Sequence, residues 1–182
     1  MSEDVDDTPT EPAKRADRFY GAFLILLAVA SAMAPLFVGA TLGWTLLLAG
    51  LIGLTWLMLD RTPRGRLAAI GWSLVALALG LHLVFHILLG VIPLGLTIGG
   101  GFILLGVAEI LFGLERYAHS VGARVAMVFG GAAAFIFGVA VPIAFPDIPD
   151  WSGGVTMGLM FAAFGVALEL GAPWRHLNKL DV

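Results

Sequence analysis

Four long stretches of this chain carry no charge: residues 19–59, 67–108, 125–146 and 151–168. The ten basic residues are confined to what remains: Lys14, Arg15, Arg18, Arg61, Arg64, Arg66, Arg116, Arg124, Arg175 and Lys179. About 20 apolar residues in a helix cross the hydrocarbon core of a bilayer. Cut to that length, the stretches give six spans, at 19–37, 42–60, 66–89, 94–114, 122–142 and 152–172. Every basic residue then lies on one side. Because cytoplasmic loops gather Lys and Arg, the sequence predicts an all-α integral membrane protein with six transmembrane helices. The expected location is the bacterial inner (cytoplasmic) membrane, multi-pass, with N and C termini cytoplasmic.

Composition agrees. Hydrophobic residues make up 59% of the chain and charged residues 13%, about half of the roughly 25% a soluble domain carries. The net charge is −3 and the basic groups are scattered, which excludes the dense cationic patch that nucleic acid needs. Without cysteine, disulfides, thiolate metal sites and Cys nucleophiles are excluded. Residues 1–18 read as a disordered acidic cytoplasmic tail, 19–172 as the six-helix domain and 173–182 as a short cytoplasmic tail. A signal peptide ending at Ala32-Met33-Ala34 is the competing reading of the first span, but Pro35 would directly follow the cut. The outer connections, 38–41, 90–93 and 143–150, lack basic residues. Trp44 and Trp151 begin spans at the outer face, while Trp56, Trp72 and Trp174 lie toward the inner one, as expected of aromatic belts.

The even spans share a motif. TLGWTLLLAG from Thr41, TIGGGFILLG from Thr97 and TMGLMFAAFG from Thr156 all fit T-x-G-x6-G. The paired glycines are Gly43 and Gly50, Gly99 and Gly106, and Gly158 and Gly165. Seven residues is nearly two helical turns, so each pair shares a helix face, and glycine there lets another backbone come close. The expected architecture is three helical-hairpin repeats, each an odd span out and an even span back.

With the hairpin pattern, APLFVGATLGWTLLLAGLIGL and its echo GGGFILLGVAEILFGLER, residues 19–172 resemble the HdeD family of small six-helix bacterial inner-membrane proteins. The resemblance implies a non-enzymatic protein associated with acid or stress response. It brings no catalytic or ligand-binding motif, so no residue role is carried over. An accessory subunit packed against a larger membrane complex is the alternative, and a small proton or solute conduit a third. Expected partners are membrane lipids and either further copies of the chain or a larger membrane complex, with no nucleic acid.

Ionisable side chains at membrane depth are functional candidates by default. Glu109 and Glu169 follow Gly106 and Gly165 by three and four residues, so both are placed on the small-residue face, turned into the bundle. They read either as a proton-binding pair or as structural carboxyls, hydrogen-bonded to a neighbouring helix or paired with Arg66, Arg124 or Arg175. The structural reading is the expectation, and under it a Leu at either position destabilises by stranding the partner. His82 and His86, four apart, face one way on the third span. Hydrogen bonding to carbonyls near Gly90 and Pro93 is expected of them, with pH sensing and a metal, pigment or haem as alternatives. No cofactor and no metal are expected, and His119 and His176 read as solvated.

Overall fold

The computed structural model describes residues 11–33, 40–59, 64–85, 93–144, 147 and 150–174. They form six helices: α1 (Glu11–Ala32), α2 (Ala40–Leu59), α3 (Arg66–Phe85), α4 (Leu94–Arg116), α5 (Val121–Ala144) and α6 (Asp150–Trp174). Five of these contain segments long and apolar enough to cross a membrane: Leu42–Leu59, Arg66–Phe85, Leu94–Arg116, Val121–Ala144 and Trp151–Gly171. The helices α2 and α6 have apolar residues all round rather than on one stripe, which is the pattern of a helix surrounded by lipid or core. The chain is therefore an all-α helical bundle of the multi-pass membrane type. In α1 the helix begins at Glu11, so residues 11–18 of the expected tail are helical. Its uncharged part within the described residues, 19–32, rises about 21 Å at 1.5 Å per residue, less than the roughly 30 Å of hydrocarbon. Residues 1–10 and the end of the expected first span lie outside the described residues.

Local chemistry sets the helix ends. Gly65 takes φ +72°, a left-handed conformation that glycine adopts without a Cβ clash, and α3 starts directly after it. Ser120 caps α5, its Oγ accepting from the Ala123 N–H at 3.4 Å. Pro142 lies within α5, whose last residue is Ala144.

Successive helices are in contact, and α6 returns to α1, so the six close into a ring. The most intimate pairs are α4–α5, α1–α6 and α2–α3, and α1–α2 is the loosest neighbouring pair. The tightest pairs thus fall between sequence hairpins rather than within them, and the glycines explain why. Gly43 and Gly50 face Val84 and the Ser73–Leu77 backbone of α3, Gly99 and Gly106 face Gly138 and Gly131 of α5, and Gly158 and Gly165 face Ala28 and Gly21 of α1. A Cβ on Gly50 would sit 2.8 Å from the Ser73 carbonyl, and one on Gly165 would sit 2.7 Å from the Gly21 carbonyl. One on Gly106 would collide with the Gly131 carbonyl oxygen. Backbones approach this closely only without side chains between them. Each even helix thus spends its smooth face on a helix other than its hairpin partner.

The interior is filled. Trp72, Tyr20, Phe102, Phe112, Phe161 and Phe164 are among the largest fully buried side chains. The outer tryptophans Trp44 and Trp151 are about half exposed, at 51% and 53%, which suits a belt. The inner ones are a correction: Trp56 and Trp72 are only 4% and 1% exposed and belong to the core. Burying the aromatic faces against other rings outweighs an interfacial position when such partners are available. The Trp174 side chain lies outside the described residues.

Replacing Gly106 with Leu should lower stability by roughly 1–3 kcal/mol through overpacking. Gly100 lies on the same helix, and a Cβ there would meet nothing within 4 Å, so it should accept Leu with little change in detergent melting temperature. Equal losses at both positions would mean that the crossing at Gly106 is not tight.

Candidate functional site

Glu109 is the buried centre of the bundle, with 0% exposure. It lies on α4 three residues after Gly106, so it emerges beside the α4–α5 crossing. Across from it, Gly130 of α5 leaves the space that the carboxyl occupies: a Cβ there would lie 2.6 Å from Glu109 Oε1 and 2.5 Å from the Ala163 Cβ of α6. Helices α4, α5 and α6 therefore meet around one carboxyl group.

Among the described residues neither Glu109 oxygen has a hydrogen-bond partner, nor does Trp72 Nε1. The Trp72 indole of α3 is a neighbouring donor, near enough to interact with the carboxyl yet outside hydrogen-bond geometry. The Tyr20 hydroxyl is within electrostatic reach, but it donates to the Ala49 carbonyl at 3.3 Å. Rings build the surroundings. Trp72 lies 5.1 Å from Phe164 and 6.2 Å from Phe161 between centroids, and Phe112 stacks on Phe164 at 5.2 Å. Tyr20 stacks on Trp56 at 5.3 Å, and Trp56 meets Phe112 edge-on at 6.2 Å. A carboxyl among aromatics and glycine, with one indole N–H nearby, has little to compensate a charge. The partnered arrangement expected for Glu109 is absent; no neighbouring helix or arginine among the described residues hydrogen-bonds to it.

Glu169 behaves differently. It is only partly buried, and its Oε1 lies 3.2 Å from where a Gly21 Cβ would be, at the α1–α6 crossing. The one-residue offset from the glycine is the reason, since one residue turns a helix by about 100°. In the repeat register the place of Glu109 is taken in α6 by Leu168, which is buried at 1%. The two carboxyls are therefore not brought together as equivalents.

A second buried carboxyl was missed by sequence reasoning. Asp17, 2% exposed, lies in the segment expected to be disordered and accepts a 2.8 Å hydrogen bond from Trp56 Nε1. Helix α1 thus carries a polar tie to α2 where a free tail was expected. The only sequence signal for it was the i, i+3, i+4 spacing of Asp17, Tyr20 and Gly21 on one face.

His82 is buried on α3 and engaged by its neighbours, whereas His86 lies outside the described residues. Asp147 and His119 are exposed, and the Asp150 side chain and His176 are outside the described residues. No group of three or more metal-ligating side chains comes together among the described residues. No protein-family model, curated protein or solved structure matches this chain.

Because no described residue hydrogen-bonds to Glu109, Glu109→Leu should stabilise the folded protein by about 1–3 kcal/mol, as when an unsatisfied buried polar group is replaced by an apolar one of similar size. Trp56→Phe, which removes a hydrogen bond to a carboxylate, should cost about 1.5–3 kcal/mol. Thermal unfolding in detergent reads both, and a destabilised Glu109→Leu would reveal a partner.

Proposed function

We propose that this chain is a non-enzymatic bacterial inner-membrane protein of the HdeD type that acts in acid-stress response, with Glu109 as its acid-responsive group. The observation that carries the reading is the carboxyl of Glu109, fully buried and without a hydrogen-bond partner among the described residues. An uncompensated ionisable group at membrane depth is costly to keep, and here it contributes no bond that would justify it structurally. Protonation or deprotonation of that carboxyl changes the electrostatics at the point where α3, α4, α5 and α6 converge, so helix packing follows the proton.

In this reading α1 belongs to the first span, which brings the crossings to six when added to the five long apolar helices. The three T-x-G-x6-G units are structural repeats, supported by the way each glycine pair meets the next odd helix around the ring. The termini and the arginine-bearing connections face the cytoplasm, following the charge bias. The aromatic filling of the interior favours a responsive bundle over a conduit for polar solutes.

Cells carrying Glu109→Gln should contain folded protein yet survive low pH no better than cells lacking it, while Glu169→Gln should still protect. Full protection by Glu109→Gln would overturn the assignment. For orientation, cysteines replacing Thr62, His119 and Asn178 should react with an impermeant reagent only from the cytoplasmic side, and one replacing Asp147 only from the outside. Outside labelling at His119 would contradict the six-span arrangement.

A further inference from the structure

The loosest seam of the ring, between α1 and α2, opens into a groove of about 460 Å³, within the roughly 300–1,000 Å³ range of small-ligand sites. Its walls are Phe19 and Tyr20 of α1 and Ile52, Trp56 and Leu59 of α2, with Arg15 at one end. Polar atoms along the walls are already committed. The Trp56 indole N–H donates to Asp17, the Tyr20 hydroxyl to Ala49, and the Thr55 hydroxyl to the Leu51 carbonyl at 3.0 Å. The Tyr20–Trp56 stack forms the closed side. Phe19 and Leu59 are more than half exposed, so the groove faces outward, where the helices meet lipid.

We infer that this groove is a binding site for one anionic phospholipid, with an acyl chain along the apolar walls and the phosphate at Arg15. Charge and depth both select that occupant. Arg15 is exposed and lines the groove, so the groove ends in a cation at the level where α1 enters the bilayer. A guanidinium fork pairs with a phosphate through two parallel hydrogen bonds, and anionic lipids concentrate at the cytoplasmic leaflet. A zwitterionic phospholipid offers the same chain but no net charge to match. A soluble ligand would need polar contacts that the walls do not supply. Asp17, two residues from Arg15, is buried with its carboxylate taken up by the Trp56 indole N–H. The leaflet assignment rests on the orientation proposed above; the groove chemistry does not.

Native mass spectrometry of the full-length protein in mild detergent tests this, with phosphatidylglycerol or phosphatidylcholine of the same acyl chains added. The wild type should retain one phosphatidylglycerol per chain in preference to phosphatidylcholine. Arg15→Ala should weaken retention about fivefold, the loss of one cation's attraction to anionic lipid, while Arg124→Ala, outside the groove, should leave it unchanged. Thr55→Trp, which fills the groove, should abolish retention of either lipid while melting like the wild type. Equal retention of the two lipids, or no effect of Arg15→Ala, would overturn the site. So would retention seen only after Glu3, Asp4, Asp6 and Asp7 are neutralised, because the chain's own acidic leader would then be the occupant. Micelles have no sidedness, so a wrong orientation would appear in the cysteine labelling and leave these results untouched.

Discussion

Backbone-to-backbone contact at glycine is the constraint on which the rest of this bundle depends. Without a hydrophobic driving force between helices in lipid, association relies on close van der Waals packing and on interhelical polar contacts. Gly106 against Gly131, Gly99 against Gly138 and Gly165 against Gly21 supply that packing. Since every repeated glycine pair sits on an even helix and faces an odd one, the contacts run around the molecule and return from α6 to α1. A helix ring closed in this way needs no loop contact to hold its first and last members together.

Closure determines what the interior can be. Helices drawn together at glycines leave the larger side chains to meet in the middle, where Trp72, Phe112, Phe161 and Phe164 interlock. Glu109 is enclosed by the same packing, and Gly130 makes the room for it. The acidic group at the centre is thus coupled to four helices through shape rather than through hydrogen bonds. Where the ring is loosest, between α1 and α2, the Trp56–Asp17 hydrogen bond substitutes for glycine contact, and the seam stays open enough to form a groove.

Much of the architecture was legible in the residues, and what was not has a physical reason. Charge placement located the apolar helices closely, because a lipid-facing segment tolerates few charges along about 20 residues. Glycine spacing places each pair on one helix face, since helical periodicity reports direction. It could not give the partner, so the contacts of Gly50, Gly106 and Gly165 with the next odd helix had to come from three dimensions. The burial of Glu109 was readable from its offset to Gly106, but its isolation was not, because isolation depends on where Trp72 and Tyr20 point. Trp56 and Trp72 misled for the same reason: proximity to the inner face along the chain says nothing about whether a ring turns to lipid or to the core. Asp17 was hidden by its charged neighbours, whose composition resembles that of a tail.

Ring closure can be tested directly because the chain has no cysteine of its own. A Cβ on Gly21 would lie 3.3 Å from the Leu168 Cβ, near the separation a disulfide requires, and no closer than 3.2 Å to any other atom. The double variant Gly21→Cys, Leu168→Cys, oxidised in native membranes, should form an intramolecular disulfide joining α1 to α6. It would run as a compact monomer on a non-reducing gel and revert on reduction. Thiols that remain free, or that link only between two chains, would contradict a bundle in which the first and last helices pack together.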